Sequence, residues 1–141
     1  LCVLSLLMFV PSLMAFTGTQ TQLSHQLLSA MRTVESSNDD SAVGDNGNAI
    51  GPFQIWKVYW QDALEHDPSI GGKYNDCFDP TYAEKVVRAY MARYATKNRL
   101  GRIPTAEDMA RIHNGGPNGY KKESTVVYWK KVKNVLRNSN R

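Results

Sequence analysis

A chain of 141 residues, 42% hydrophobic and 21% charged, has the length of one domain and the balance of a folded globular protein, which excludes a low-complexity chain. Two cysteines are too few to build a disulfide scaffold. A formal charge of +4, from 17 Lys and Arg against 13 Asp and Glu, is compatible with simple solubility and with attraction to polyanions, whether bacterial walls or nucleic acid.

Leu1 to Ala15 is almost purely apolar and carries no charge. It is too short to cross a bilayer comfortably and reads as the apolar core of a secretory leader. Pro11, Ser12 and Ala15 mark the cleavage region, and the initiating Met and basic n-region are taken as missing. The expected organisation is therefore a signal peptide over 1–15 and one folded domain over 19–141, secreted, monomeric and without stable membrane insertion. Cys2 leaves with the leader, so Cys77 has no internal partner and is read as a small buried hydrophobe rather than an intermolecular bridge. His25, His66 and His113 stand apart, so no metal site and no cofactor are expected.

After a polar stretch over Thr17 to Gln22, Leu23, Leu27, Met31 and Val34 recur on one helical face. The run Ser36-Ser37-Asn38-Asp39-Asp40 ends that helix, which leaves Glu35 at its C-terminus, where the helix dipole disfavours a negative charge. Ser41 to Ile50 contains the turn triplet Asp45-Asn46-Gly47 and reads as a small β-hairpin or irregular loop. Glu35 and Asp45, ten residues apart, form a candidate carboxylate pair for glycoside hydrolysis, which needs one acid in an apolar setting and one carboxylate in a polar setting. Asp39 and Asp40 remain alternatives for the second group.

Pro52 to Glu65 reads as a second helix, with Phe53, Trp56, Tyr59 and Trp60 at spacings of three and four. Its aromatics serve the core, with one or two free to stack on sugar faces. A loop with two Asp-Pro steps precedes the clearest helix, Pro80 to Lys97, where Tyr82, Val86, Tyr90 and Tyr94 repeat every four residues. Thr105 is the expected N-cap of a shorter helix ending at His113, followed by Asn114-Gly115-Gly116-Pro117, a backbone open to close ligand approach. Ser124 to Arg137 forms the last helix, with Lys130, Lys131, Lys133 and Arg137 on a solvated or wall-binding face. Nothing has the pattern of a phosphate-cradling loop or an interleaved nucleic-acid platform, so no nucleic-acid partner is expected.

Four stretches together resemble invertebrate-type (destabilase-like) lysozymes: E-S-S…D-N-G…G-P-F-Q-I-W-K-V-Y-W from Glu35 to Trp60, R-A-Y-M-A-R-Y-A at Arg88 to Ala95, A-R-I-H-N-G-G-P-N-G at Ala110 to Gly119, and K-K-E-S-T-V-V-Y-W at Lys121 to Trp129. The resemblance implies a mainly α (α+β) lysozyme-like fold of about five helices with a small β-hairpin beside the substrate groove. It also implies cleavage of the β-1,4 bond between N-acetylmuramic acid and N-acetylglucosamine in peptidoglycan, or of a chitin-like oligosaccharide. By the same resemblance Glu35 is the general acid and Asp45 the second carboxylate. Gln54, Ile55, Tyr59, His113, Asn114 and Gly115 are the expected substrate contacts. The chain departs from the family in lacking its disulfides and in a shorter segment between the two carboxylates. The serines and lysine associated with isopeptidase activity in some members are replaced by Asn48, Ile50 and Trp56. A lytic transglycosylase and a non-catalytic peptidoglycan-binding protein are the competing readings.

Overall fold

Ser24 accepts a hydrogen bond from the Leu27 amide at 3.1 Å and so opens the first helix, α1 (His25–Ser36), of a computed structural model that describes residues 23–139. The apolar Leu1–Ala15 segment, Cys2 and the polar stretch to Gln22 lie outside the described residues. Ser37 closes α1 in the left-handed conformation, φ 55°. The chain then forms three two-residue strands, β1 (Val43–Gly44), β2 (Ala49–Ile50) and β3 (Ile55–Trp56). They pair antiparallel in the order β1-β2-β3, with Val43 opposite Ile50 and Ala49 opposite Trp56.

The third strand corrects the expectation of a helix from Pro52. Residues 51–54 make a tight turn instead: the Gly51 N–H donates to the Ala42 carbonyl at 2.8 Å, and the Gln54 N–H to the Gly51 carbonyl at 3.0 Å. Gly51 has φ +74°, and a Cβ there would sit 2.0 Å from the Cys77 carbonyl oxygen, so only glycine fits. Ile55 then pairs with Ile50, which delays the second helix, α2, to Lys57–His66.

α3 (Pro80–Tyr94) is the central element, capped by the Asp79 carboxylate on the Tyr82 N–H, with Val86, Val87, Ala89, Tyr90 and Met91 buried. It ends three residues earlier than expected. Thr96, a β-branched residue with a capping hydroxyl, accepts from the Arg99 N–H and starts a separate single-turn helix, α4 (Lys97–Leu100). α5 (Ala106–Gly115) and α6 (Val126–Ser139) complete six helices among the described residues. The core is continuous, with Leu27, Leu28 and Met31 of α1, Ile55 of β3, Ile112 of α5 and Val132 of α6 fully buried around α3. Cys77 is a free, fully buried thiol, and burial pushes its pKa up to about 12. No helix among the described residues is long and apolar enough to cross a membrane.

Thr105 caps α5 as its sequence predicts, in a reciprocal box with Asp108. Burial (3% exposed) pushes the Asp108 carboxyl up, but the Arg102 guanidinium and the Thr105 amide and hydroxyl outweigh it and hold the group below the usual range. A depressed folded-state value means stability that is complete above the unfolded value, about 3.9, and is lost as pH falls through the folded one. Asp108→Asn is therefore expected to cost about 2 kcal/mol at pH 7. The gap to wild type should narrow in urea unfolding as pH falls below about 3.9 and on through the depressed native value.

Candidate active site

Glu35 is the penultimate residue of α1, and its side chain is only 16% exposed. Its Oε1 lies 3.3 Å from Nε2 of His113 in the last turn of α5, and no Lys or Arg among the described residues pairs with it. The imidazole is held at both nitrogens. The Phe53 carbonyl, 3.1 Å from Nε2, can only accept, so Nε2 carries the hydrogen; in the neutral ring Nδ1 then accepts from the Tyr59 hydroxyl at 3.0 Å. Tyr59 itself stacks on Tyr90, centroids 3.5 Å apart. Burial, then the charges of Tyr90 and Glu35, raise the Tyr59 pKa well above its ordinary value, which keeps it a donor. Tyr128 is raised likewise by burial and by the Glu35 charge, and its hydroxyl has no partner of regular geometry. Glu35 thus sits at a nearly dry junction beside Tyr59, His113 and Tyr128.

Asp45 stands in the opposite kind of environment. It begins the turn after β1, where Asp45 (φ 49°), Asn46 (φ 56°) and Gly47 (φ 91°) are all left-handed, residue types that accept this conformation with least strain. Its side chain is exposed, and Oδ2 accepts from the Trp56 indole N–H at 3.1 Å. The two alternative carboxylates are committed elsewhere. Asp39 accepts from the Ser41 hydroxyl and amide, 2.7 and 2.9 Å, which hold it below the usual range, and Asp40 pairs with Arg32 at 2.7 Å.

Glu35 and Asp45 line one cleft of about 320 Å³, together with Gln54, Tyr59, His113 and Asn114. Gln54 spends its amide hydrogens on the Ala42 and Gly51 carbonyls, 3.2 and 3.0 Å, and so braces the turn beside the cleft. Two expected contacts are not on the wall. Ile55 is 1% exposed and belongs to the core, because strand alternation turns it inward and Trp56 outward. Gly115 backs onto Thr125, whose Cγ2 would lie 2.5 Å from a Cβ, so its bare face serves helix packing; Gly116 and Pro117 line the cleft in its place. Sequence reasoning missed Val58, Asp62 and Tyr90. Asp62 lies three residues after Tyr59 on α2, a spacing that puts both on one face, and its Oδ2 accepts from the Tyr94 hydroxyl at 3.0 Å. Among the described residues no group of three His, Cys, Asp or Glu side chains could hold a metal ion.

Comparison with known proteins points the same way as this geometry. Residues 24–135 match the Destabilase family model. A lysozyme of Ostrea edulis is 42% identical over 87 residues, covering 61% of this chain and 59% of its own length. One of Magallana gigas is 44% identical over 84 residues, 60% of this chain and 58% of its own. The chain thus spans rather more than half the length of these relatives. Among solved structures, the Tapes japonica lysozyme superposes with a TM-score of 0.65 at 34% identity, covering 78% of this chain and 88% of that one. The Meretrix lusoria lysozyme, in complex with Aeromonas hydrophila PliI, gives 0.67 at 33% identity over 79% and 88%. With four-fifths of its residues under the family model and its fold shared with these structures, the chain belongs to the destabilase family of invertebrate-type lysozymes.

Proposed function

We propose that this chain is a secreted lysozyme that hydrolyses the β-1,4 bond between N-acetylmuramic acid and N-acetylglucosamine in bacterial peptidoglycan. The observation that carries the reading is the meeting of Glu35 and Asp45 in one cleft, the first nearly dry and the second in water. Lysozymes are the type case of this division of labour between two carboxyl groups. Glu35, protonated, gives its proton to the glycosidic oxygen as the C1–O bond breaks. Asp45, ionised, either bonds to C1 as a glycosyl-enzyme or stabilises the oxocarbenium ion. Glu35, now a carboxylate, takes a proton from the incoming water, whose oxygen completes the product hemiacetal.

His113 packs beside the Glu35 carboxyl, Nε2 at 3.3 Å from Oε1, and Tyr59 and Phe53 hold His113. The Trp56 indole fixes Asp45 and, 45% exposed, offers a face for a pyranose ring. Purified cell walls treated with the protein are expected to lose turbidity and to release one new reducing end per bond cut. Release of 1,6-anhydro ends without reducing ends would replace hydrolysis by transglycosylation. Binding without release of either would leave a glycan-binding protein.

A further inference from the structure

One polar atom beside Glu35 is left over. The Tyr128 hydroxyl is buried without a hydrogen-bond partner, one of two such side-chain atoms among the described residues. Burying an O–H with no acceptor carries a penalty that folded proteins seldom leave uncompensated. Tyr128 lies in the first turn of α6, which packs on both α1 and α5. Just before it, Thr125 accepts from Arg111 Nε at 2.9 Å and donates to the Gly119 carbonyl at 2.8 Å, so the start of α6 is pinned. The Tyr128 and His113 rings lie 6.4 Å apart, and His113 Nε2 stands 3.3 Å from the Glu35 carboxyl. The phenol is therefore set from α6 against the group that His113 meets from α5.

Few acceptors are open to the stray hydrogen. Both His113 nitrogens are taken, Nε2 by the Phe53 carbonyl and Nδ1 by the Tyr59 hydroxyl. The Tyr59 oxygen and the Glu35 carboxyl remain. Burial first, then the Glu35 charge and a hydrogen bond to it, and last Tyr59, push the Tyr128 pKa well up, so the phenol keeps its proton and Glu35 is the stronger pull. A carboxylate is a far better acceptor than a carboxylic acid. The other titratable groups near Glu35 have no hydrogen to offer it. Tyr59 on α2 gives its own to His113, Tyr90 on α3 lies against Tyr94 with ring centroids 4.7 Å apart, and Arg32 on α1 is held by Asp40. Asp45 and Asp62, on the cleft wall, are acceptors when ionised.

We propose that Tyr128 is a positioning residue for the acid of the cleft, its hydroxyl idle while Glu35 holds its proton and closing on the carboxylate as that proton leaves. The inference rests on the reading of Glu35 as proton donor. A contact that forms only as negative charge develops favours the transition state over the bound substrate. It also favours the ionised carboxyl in the free protein. Losing it therefore slows the proton transfer and lets Glu35 keep its proton to higher pH.

Tyr128→Phe tests this, because it keeps the ring and removes only the unpartnered hydroxyl; thermal stability is expected to stay the same or rise slightly. On an uncharged chitin oligosaccharide kcat should fall by up to about tenfold, the low end for a hydrogen bond to a charged group, with KM unchanged. The alkaline limb of the pH profile should move up by about one pH unit, the same tenfold on the proton scale. Tyr128→3-fluorotyrosine, a stronger donor of nearly the same shape, should move that limb down. The carboxyl carbon-13 resonance of Glu35, titrated in the free protein, should shift in the same directions, and this readout needs no hydrolysis. The proposal is overturned by a Tyr128→Phe profile that falls without moving its alkaline limb, by both variants moving the limb the same way, or by an unchanged Glu35 titration. A marked loss of stability in Tyr128→Phe overturns it too, since the hydroxyl would then have a resting partner such as Tyr59. A Glu35 titration that moves as stated, in a protein that cuts no glycan, would refute the hydrolase and leave the contact between Tyr128 and Glu35.

Discussion

Glu35→Gln is expected to lower wall hydrolysis at least about a thousandfold, within the range that a positioned general acid supplies, while leaving the fold and glycan binding intact. The substitution is nearly isosteric. Its amide still reaches His113, and the 16% exposure of the native side chain means that no new cavity or buried charge is created. What disappears is the proton. An amide cannot protonate the glycosidic oxygen as the bond breaks, and among the described residues no other carboxyl group stands at this junction of Tyr59, His113 and Tyr128 to replace it. The loss should therefore fall on kcat with KM little changed, because the interaction exists only in the transition state. Near-UV circular dichroism and binding of a chitin oligosaccharide, both unchanged, separate this from misfolding. A Glu35→Gln protein keeping more than a tenth of wild-type activity would remove Glu35 from the chemistry.

That Glu35 occupies such a junction follows from sequence only in part. The turn-forming run after it places it at a helix end, and α1 does end at Ser36. The apolar repeats of α1 and α3 and the Thr105 cap were equally legible, because each depends on neighbours within one turn of helix. The contacts that make the junction are of another kind. His113 lies 54 residues from Tyr59 and 60 from Phe53, and periodicity carries no information about which face of α5 meets which face of α2. The same limit explains the misread third strand. Phe53, Trp56 and Tyr59 have helical spacing, but Ile55 is claimed by pairing with Ile50, and the turn before it is dictated by the carbonyl of Cys77, 26 residues away. Asp62 went unnoticed because an acidic residue on an exposed helix flank is ordinary until a cleft is seen to open beside it.

Asp45→Asn is expected to lower kcat by about a hundred- to a thousandfold, the range found when a preorganised electrostatic partner of the transition state is lost, and to leave stability within about 0.5 kcal/mol. Asparagine tolerates the left-handed conformation at φ 49° as well as aspartate does, and its side-chain oxygen can still accept from the Trp56 indole. The turn and the indole therefore stay, and only the negative charge goes. That charge is what a developing oxocarbenium ion, or a glycosyl-enzyme bond, requires. Asp39 and Asp40 cannot stand in, since the first is bound to Ser41, the second to Arg32, and neither lines the cleft. The other carboxylate on the wall is Asp62, whose Oδ2 accepts the Tyr94 hydroxyl. Full activity in Asp45→Asn with a collapse in Asp62→Asn would shift the second role onto α2. Full activity in both would leave Glu35 as a lone acid, the condition under which the substrate's own 6-hydroxyl closes on C1 and an anhydro-sugar replaces the reducing end.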